Sequence, residues 1–183
     1  MLNNIAALIG GAAPAVGDYE SIQTFTLTSA QASVSFTGIS SDYKHLQIRA
    51  ISRTSAAEIN LQLRANNDTG NSYAAHNLQG DGSSAGGFAS STPTNNMFLM
   101  RVAQSSNPAN TFGAAVVDVL DYANTNKNKT FRSLTGYDAN GSGYINLLSG
   151  LWMSTAAINR IDIYNAAGAN LAANSTFALY GIK

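Results

Sequence analysis

The sequence predicts an all-β fold: a two-sheet antiparallel β-sandwich, jelly-roll in type, with a short N-terminal arm over residues 1–18 and the sandwich over 19–183. Three observations predict it. Charged residues make up 11% of the chain, less than half the usual share of about 25%, so the polar surface falls to Asn, Ser, Thr and Gly, which favour turns and strands over helices. From Glu20 onward, short β-prone runs alternate with clusters of Gly, Asn, Ser or Pro, and no long amphipathic helical pattern interrupts them. The chain has 183 residues, enough for one domain to bury roughly 70% of its unfolded surface around a single core.

Taken in order, the first stretch, Ile5 to Val16, is apolar and interrupted by Pro14. It is too short to span a bilayer, which needs about 20 residues. No Lys or Arg precedes Lys44, so no secretory signal is expected. The stretch reads as an arm with a short helix from about Asn4 to Ile9, ended by Gly10 and Gly11. Its side chains Leu2, Ile5, Leu8, Ile9 and Val16 each lose roughly 1.5 to 3 kcal/mol if left in water. No strand pattern there offers them a place in the sandwich, so they are the candidate assembly contacts.

Expected strands are residues 21–27, 32–36, 45–53, 59–64, 97–103, 114–122, 130–137, 144–152, 160–164 and 175–182. Leu46, Ile48 and Ala50 share one face, as do Ile59, Leu61 and Leu63, while His45, Gln47, Arg49 and Gln62 take the other. That alternation describes half-buried antiparallel strands. Residues 79–96, rich in Gly and holding Pro93, read as a long projecting loop. No internal repeat of fixed period is found.

Ten basic and ten acidic residues cancel, which gives no reason to expect nucleic acid or a membrane surface as partner. The chain has no cysteine, so thiolate catalysis, disulfides and cysteine-held zinc are excluded. No phosphate-binding Gly-Lys-Ser/Thr pattern, HExxH or G-x-S-x-G elbow occurs. The two histidines, His45 and His76, lie on separate segments. No catalytic, cofactor-binding or metal residues are therefore assigned, no cofactor is expected, and the chain is read as no enzyme.

Asp138-Ala-Asn140-Gly-Ser142-Gly143 matches the first half of a calcium-binding loop, but Ser149 stands where a closing carboxylate belongs. It reads instead as the turn of a hairpin, because Asn140-Gly141 tolerates the positive φ such turns need. Asn66-Asn67-Asp68-Thr69-Gly70 reads as a second turn. Asp118 and Asp121 fall on opposite faces of an apolar strand, with Lys127, Lys129 or Arg132 as expected ion-pair partners for one turned inward. Tyr43, Tyr73, Tyr122, Tyr137, Tyr144, Tyr164 and Trp152 are expected in core or interface packing, with a sugar-stacking platform as the alternative.

Five segments carry a resemblance: Tyr19-Glu-Ser-Ile22, Ile39-Ser-Ser-Asp-Tyr-Lys-His-Leu-Gln-Ile-Arg49, Leu120-Asp-Tyr-Ala-Asn-Thr-Asn-Lys127, Leu148-Ser-Gly-Leu-Trp-Met-Ser-Thr-Ala-Ala157 and the ending Ala178-Leu-Tyr-Gly-Ile-Lys183. From about Tyr19 to its end the chain resembles a group of virion structural proteins of tailed bacteriophages that often end in a Tyr-Gly-Ile-Lys-like strand. The resemblance implies a β-sandwich on the virion exterior, made in the host cytoplasm and commonly oligomeric, with a trimer the expected number. Its expected partners are copies of itself and the major capsid or other virion proteins. A capsid decoration or cement protein is the leading expectation. A tail- or fibre-associated module binding a receptor or glycan is the alternative.

Overall fold

Alternating side chains set the strands, and the computed structural model, which describes residues 18–90 and 92–183, carries twelve of them and no helix among those residues. They are β1 (Tyr19–Thr26), β2 (Ser33–Thr37), β3 (His45–Ser52), β4 (Asn60–Ala65), β5 (Tyr73–Gly80) and β6 (Ala85–Ala89). The chain continues through β7 (Met97–Arg101), β8 (Gly113–Leu120), β9 (Lys129–Asp138), β10 (Gly143–Trp152), β11 (Arg160–Tyr164) and β12 (Thr176–Ile182). All ten expected strands form.

Strands β5 and β6 were not expected, and they correct the reading of residues 79–96 as one projecting loop. β5 pairs with β10 along its whole length, from Tyr73 opposite Trp152 to Gly80 opposite Ile145. A short turn then returns the chain as β6 against β5. The Asp81 carboxylate holds that turn by accepting the amide hydrogens of Ser83 at 2.9 Å and Ser84 at 2.7 Å. Gly86 and Gly87 lower the strand propensity of β6, but the free edge of β5 supplies a ladder that local propensity does not.

The strands form an eight-stranded sheet in the order β1-β12-β3-β8-β9-β10-β5-β6 and a four-stranded sheet in the order β2-β11-β4-β7. Every pairing between neighbouring strands is antiparallel. The pairs β1·β12, β2·β11, β3·β8 and β4·β7 are nested in the chain. Two hairpins interrupt the nesting, β5–β6 between β4 and β7 and β9–β10 between β8 and β11, and both extend the large sheet.

Between the sheets, Leu46, Ile48, Val117, Val119 and Phe131 from the large sheet meet Phe36, Leu61, Leu63, Ile161 and Ile163 from the small one in one buried cluster. Burial of each such side chain stabilises the fold by roughly 1.5–3 kcal/mol. Tyr73 and Trp152 stack with ring centroids 6.3 Å apart. Their polar ends are satisfied: the Trp152 indole N–H donates to Asp68 Oδ2 at 2.7 Å, and the Tyr73 hydroxyl donates to the Ala65 carbonyl at 3.2 Å. Burial pushes the Tyr73 hydroxyl up to about 12.

Near the end of the chain, Gly181 lies beneath the ring of Tyr43, where any Cβ would overlap the ring. This is a physical reason for glycine within the Tyr-Gly-Ile-Lys ending.

Candidate assembly surface

The site begins with register. Val116 on β8 stands opposite Leu134 on β9, Leu134 opposite Leu147 on β10, and Leu147 opposite Leu78 on β5. All four point away from the core, forming one apolar row across four strands on the outer face of the large sheet. They are 41%, 54%, 49% and 59% exposed, in that order. In the neighbouring row Ile145 is 61% exposed and Ile51 57%. With Leu120 and Tyr19 added, eight of the ten large apolar side chains exposed among the described residues lie on this face. Single exposed apolar residues are ordinary, but a contiguous patch on one face marks a contact surface.

Two shallow grooves flank the row. One of about 620 Å³ is bordered by His76, Leu120, Thr130, Arg132 and Ser149. The other, about 560 Å³, is bordered by Ala114, Gly136, Tyr137, Tyr144 and Ile145. Gly136 and Gly80 bring no side chain to the surface on either side of Ile145, so the apolar row stands proud as a ridge.

The one ion pair on this face among the described residues is made within the subunit. Asp118 Oδ1 accepts from the Gln47 amide at 2.9 Å, and its Oδ2 accepts from the Arg132 guanidinium at 2.9 Å. Burial pushes the Asp118 carboxyl up, but these two donors outweigh it and hold the group below its ordinary value. Arg49 donates to Gln47 at 2.8 Å and lies over the rings of Tyr19 and Tyr180, 5.4 and 5.0 Å from their centroids. Such a face is suited to excluding water against another surface.

The expected inward carboxylate is corrected. Asp118 sits on the outer face, and Asp121 lies past the end of β8, bonded to Lys127 at 2.7 Å. The inward residue is Lys129, fully buried, whose ammonium donates to the carbonyls of Asn124 at 2.6 Å, Lys127 at 2.8 Å and Thr155 at 3.0 Å. It ties two loops together and takes no part in an ion pair with Asp118 or Asp121.

The other sequence candidates fall as follows. His45 and His76 are on β3 and β5, four strands apart in the sheet, roughly 19 Å at the usual strand spacing. His45 Nδ1 accepts the Asp121 amide hydrogen at 3.0 Å. Residues 138–143 make the expected hairpin turn, with Asn140 and Gly141 at φ 60° and 106° and Asp138 Oδ1 accepting the Asn140 amide hydrogen at 2.7 Å. The turn at 66–70 forms as well, Asn66 and Asn67 both at positive φ. Of the aromatic candidates, Tyr73, Tyr122 and Trp152 are buried in the core, whereas Tyr137 and Tyr144 pair at 6.0 Å beside the second groove. Among the described residues no group of three or more His, Asp or Glu side chains gathers as a metal site would require. Leu2, Ile5, Leu8, Ile9 and Val16 lie outside the described residues.

Sequence reasoning missed the residues of the apolar face, although the signal was present. On β10, Ile145, Leu147 and Leu151 alternate with Leu148, Gly150 and Trp152, so both faces of the strand are apolar. On β8, Val116 and Leu120 do the same against Val117 and Val119. Such runs are the pattern of strands covered on both faces, yet only one face of this sheet has a covering layer among the described residues. No known family model matches the chain, and no curated protein matches it.

Proposed function

We propose that this chain is a structural protein of a bacteriophage virion, a capsid decoration or cement protein on the outer surface that self-associates, as a trimer, and seats on the major capsid protein or another virion protein. The observation that carries this reading is the apolar outer face of the large sheet, built to be covered by another molecule. The low charge and the five phage-like segments support it. The nested strand pairs support a jelly-roll core, since winding one long antiparallel ribbon into two sheets yields the order β1-β12-β3-β8 over β2-β11-β4-β7. The glycan-binding alternative has less to stand on with Tyr73, Tyr122 and Trp152 withdrawn into the core, leaving the Tyr137–Tyr144 pair as its platform.

Quantitative gel analysis of purified virions tests the reading. A copy number on the order of hundreds per particle is expected of a protein repeating with the capsid lattice. A few dozen copies or fewer would overturn decoration in favour of the tail, and absence from particles would overturn the virion role itself.

A further inference from the structure

We propose that the outer face of the large sheet, centred on the Val116, Leu134, Leu147 and Leu78 row, is the surface through which copies of this chain bind one another. The proposal takes only self-association from the function above and does not depend on the assembly being a virion.

Size is the first argument. Four strands at about 4.8 Å spacing and two rows of non-polar same-face residues about 6.8 Å apart give a footprint of roughly 260 Å². That is about a third of the ~800 Å² each partner contributes to a standard stable interface. It is of the size expected for the dry centre of such a contact, with the polar row of Asp118, Arg132, Ser149 and His76 at its border. Arg49, Asp118 and Arg132 supply part of the polar rim that surrounds dry centres.

Shape is the second. A ridge of four branched side chains runs between two grooves. Because strand spacing is fixed, the ridge of another copy carries its knobs at the same intervals and lies in such a groove as packed sheets do.

Charge is the third, and it selects the occupant. Nucleic acid or a strongly charged protein surface needs an array of unpaired charge to bind, whereas Asp118 and Arg132 neutralise each other within the subunit and Arg49, held by Gln47 and two rings, adds a single cation beside the ridge. The formal net charge is zero, so two copies approach without net repulsion. A neutral apolar ridge beside neutral apolar grooves fits its own copy.

The test uses the full chain, whose lack of cysteine lets one introduced thiol report alone. In L147C, maleimide labelling is expected to slow about tenfold or more between sub-micromolar and hundred-micromolar protein as mass action fills the contact. In T37C, on the exposed outer face of β2, it is expected to stay constant. Light scattering is expected to give the unaltered chain a mass above 19.1 kDa and L134E the monomer mass with unchanged circular dichroism. Concentration-independent labelling of L147C would overturn the proposal, and it decides the matter should L134E fail to fold. An unaltered oligomer mass in folded L134E would also overturn it while leaving self-association through another surface intact. A monomeric unaltered chain at a hundred micromolar would overturn both and leave the face to a different protein.

Discussion

Leu134 stands directly across from Leu147 in the β9–β10 hairpin, each about half exposed, while the adjacent Leu148 turns inward and is only 1% exposed. Two neighbouring leucines of one strand therefore face opposite environments, and their substitutions should differ accordingly. Under dilute, monomeric conditions L147S is expected to change stability by about 0.5 kcal/mol or less, and L148A to cost about 2–5 kcal/mol through lost burial and a residual cavity. Urea unfolding followed by the fluorescence of Trp152, the chain's one tryptophan, gives both numbers. Equal losses would mean that the outer face is already covered within the subunit.

Lys129 should be among the most sensitive charged positions. Its ammonium satisfies three loop carbonyls in a site with no exposure. K129M keeps most of the side-chain volume but leaves those carbonyls without their donor, at an expected cost of about 2–4 kcal/mol. The same unfolding measurement checks it. A loss below about 0.5 kcal/mol would show that water replaces the ammonium at no cost, which is the outcome of an exposed site.

The contrast between Lys129 and the hydrophobic strands marks how far the sequence could be read. Leu46, Ile48 and Ala50 alternate with polar neighbours, so the strand and its buried face were legible together. β5 was not: its inward positions are Tyr73, Ala75 and Asn77, too small or too polar to register as a core stripe, and its pairing with β10 is decided far along the chain. Lys129 looked like an ion-pair partner because the carbonyls that hold it come from residues 124, 127 and 155, whose convergence no local pattern records. The apolar face was legible in part, as strands apolar on both sides. What the sequence withheld was which of the two apolar sides the four-stranded sheet would cover and that no third layer among the described residues covers the other.

Gly181 and Tyr43 offer a test of packing at the C-terminal strand. A Cβ at position 181 would overlap the Tyr43 ring, whose hydroxyl is hydrogen-bonded to the Glu20 carboxylate, so making room for the methyl means moving a tethered ring. G181A is expected to cost about 1–3 kcal/mol, the usual range for overpacking. In a Y43A background the added methyl has room, so the double variant should be more stable than the sum of the two single losses implies. Strict additivity would sever the proposed link between the two residues.

Acid should destabilise the fold through Asp162 and Asp68. At Asp162, burial pushes the carboxyl up, but the Arg160 guanidinium at 2.7 Å and the Ser35 hydroxyl at 2.5 Å outweigh it and hold the group below its ordinary value of 3.8. At Asp68, the Trp152 indole N–H and the Gly70 amide lower it likewise. A depressed folded-state carboxylate binds its proton less readily than the same group in the unfolded chain. The stabilising contribution is therefore complete at pH well above 3.8, where both states are ionised, and fades as pH falls, because the unfolded chain takes up protons first. Unfolding free energy is expected to be nearly level from pH 7 to 5 and to drop steeply below about pH 4. D162N should have lower stability at pH 7 but a shallower acid slope, since one of the linked protons is gone. Urea titrations at pH 7, 5, 4 and 3 on both chains measure the slopes, and an identical slope in D162N would remove Asp162 from the account of acid sensitivity.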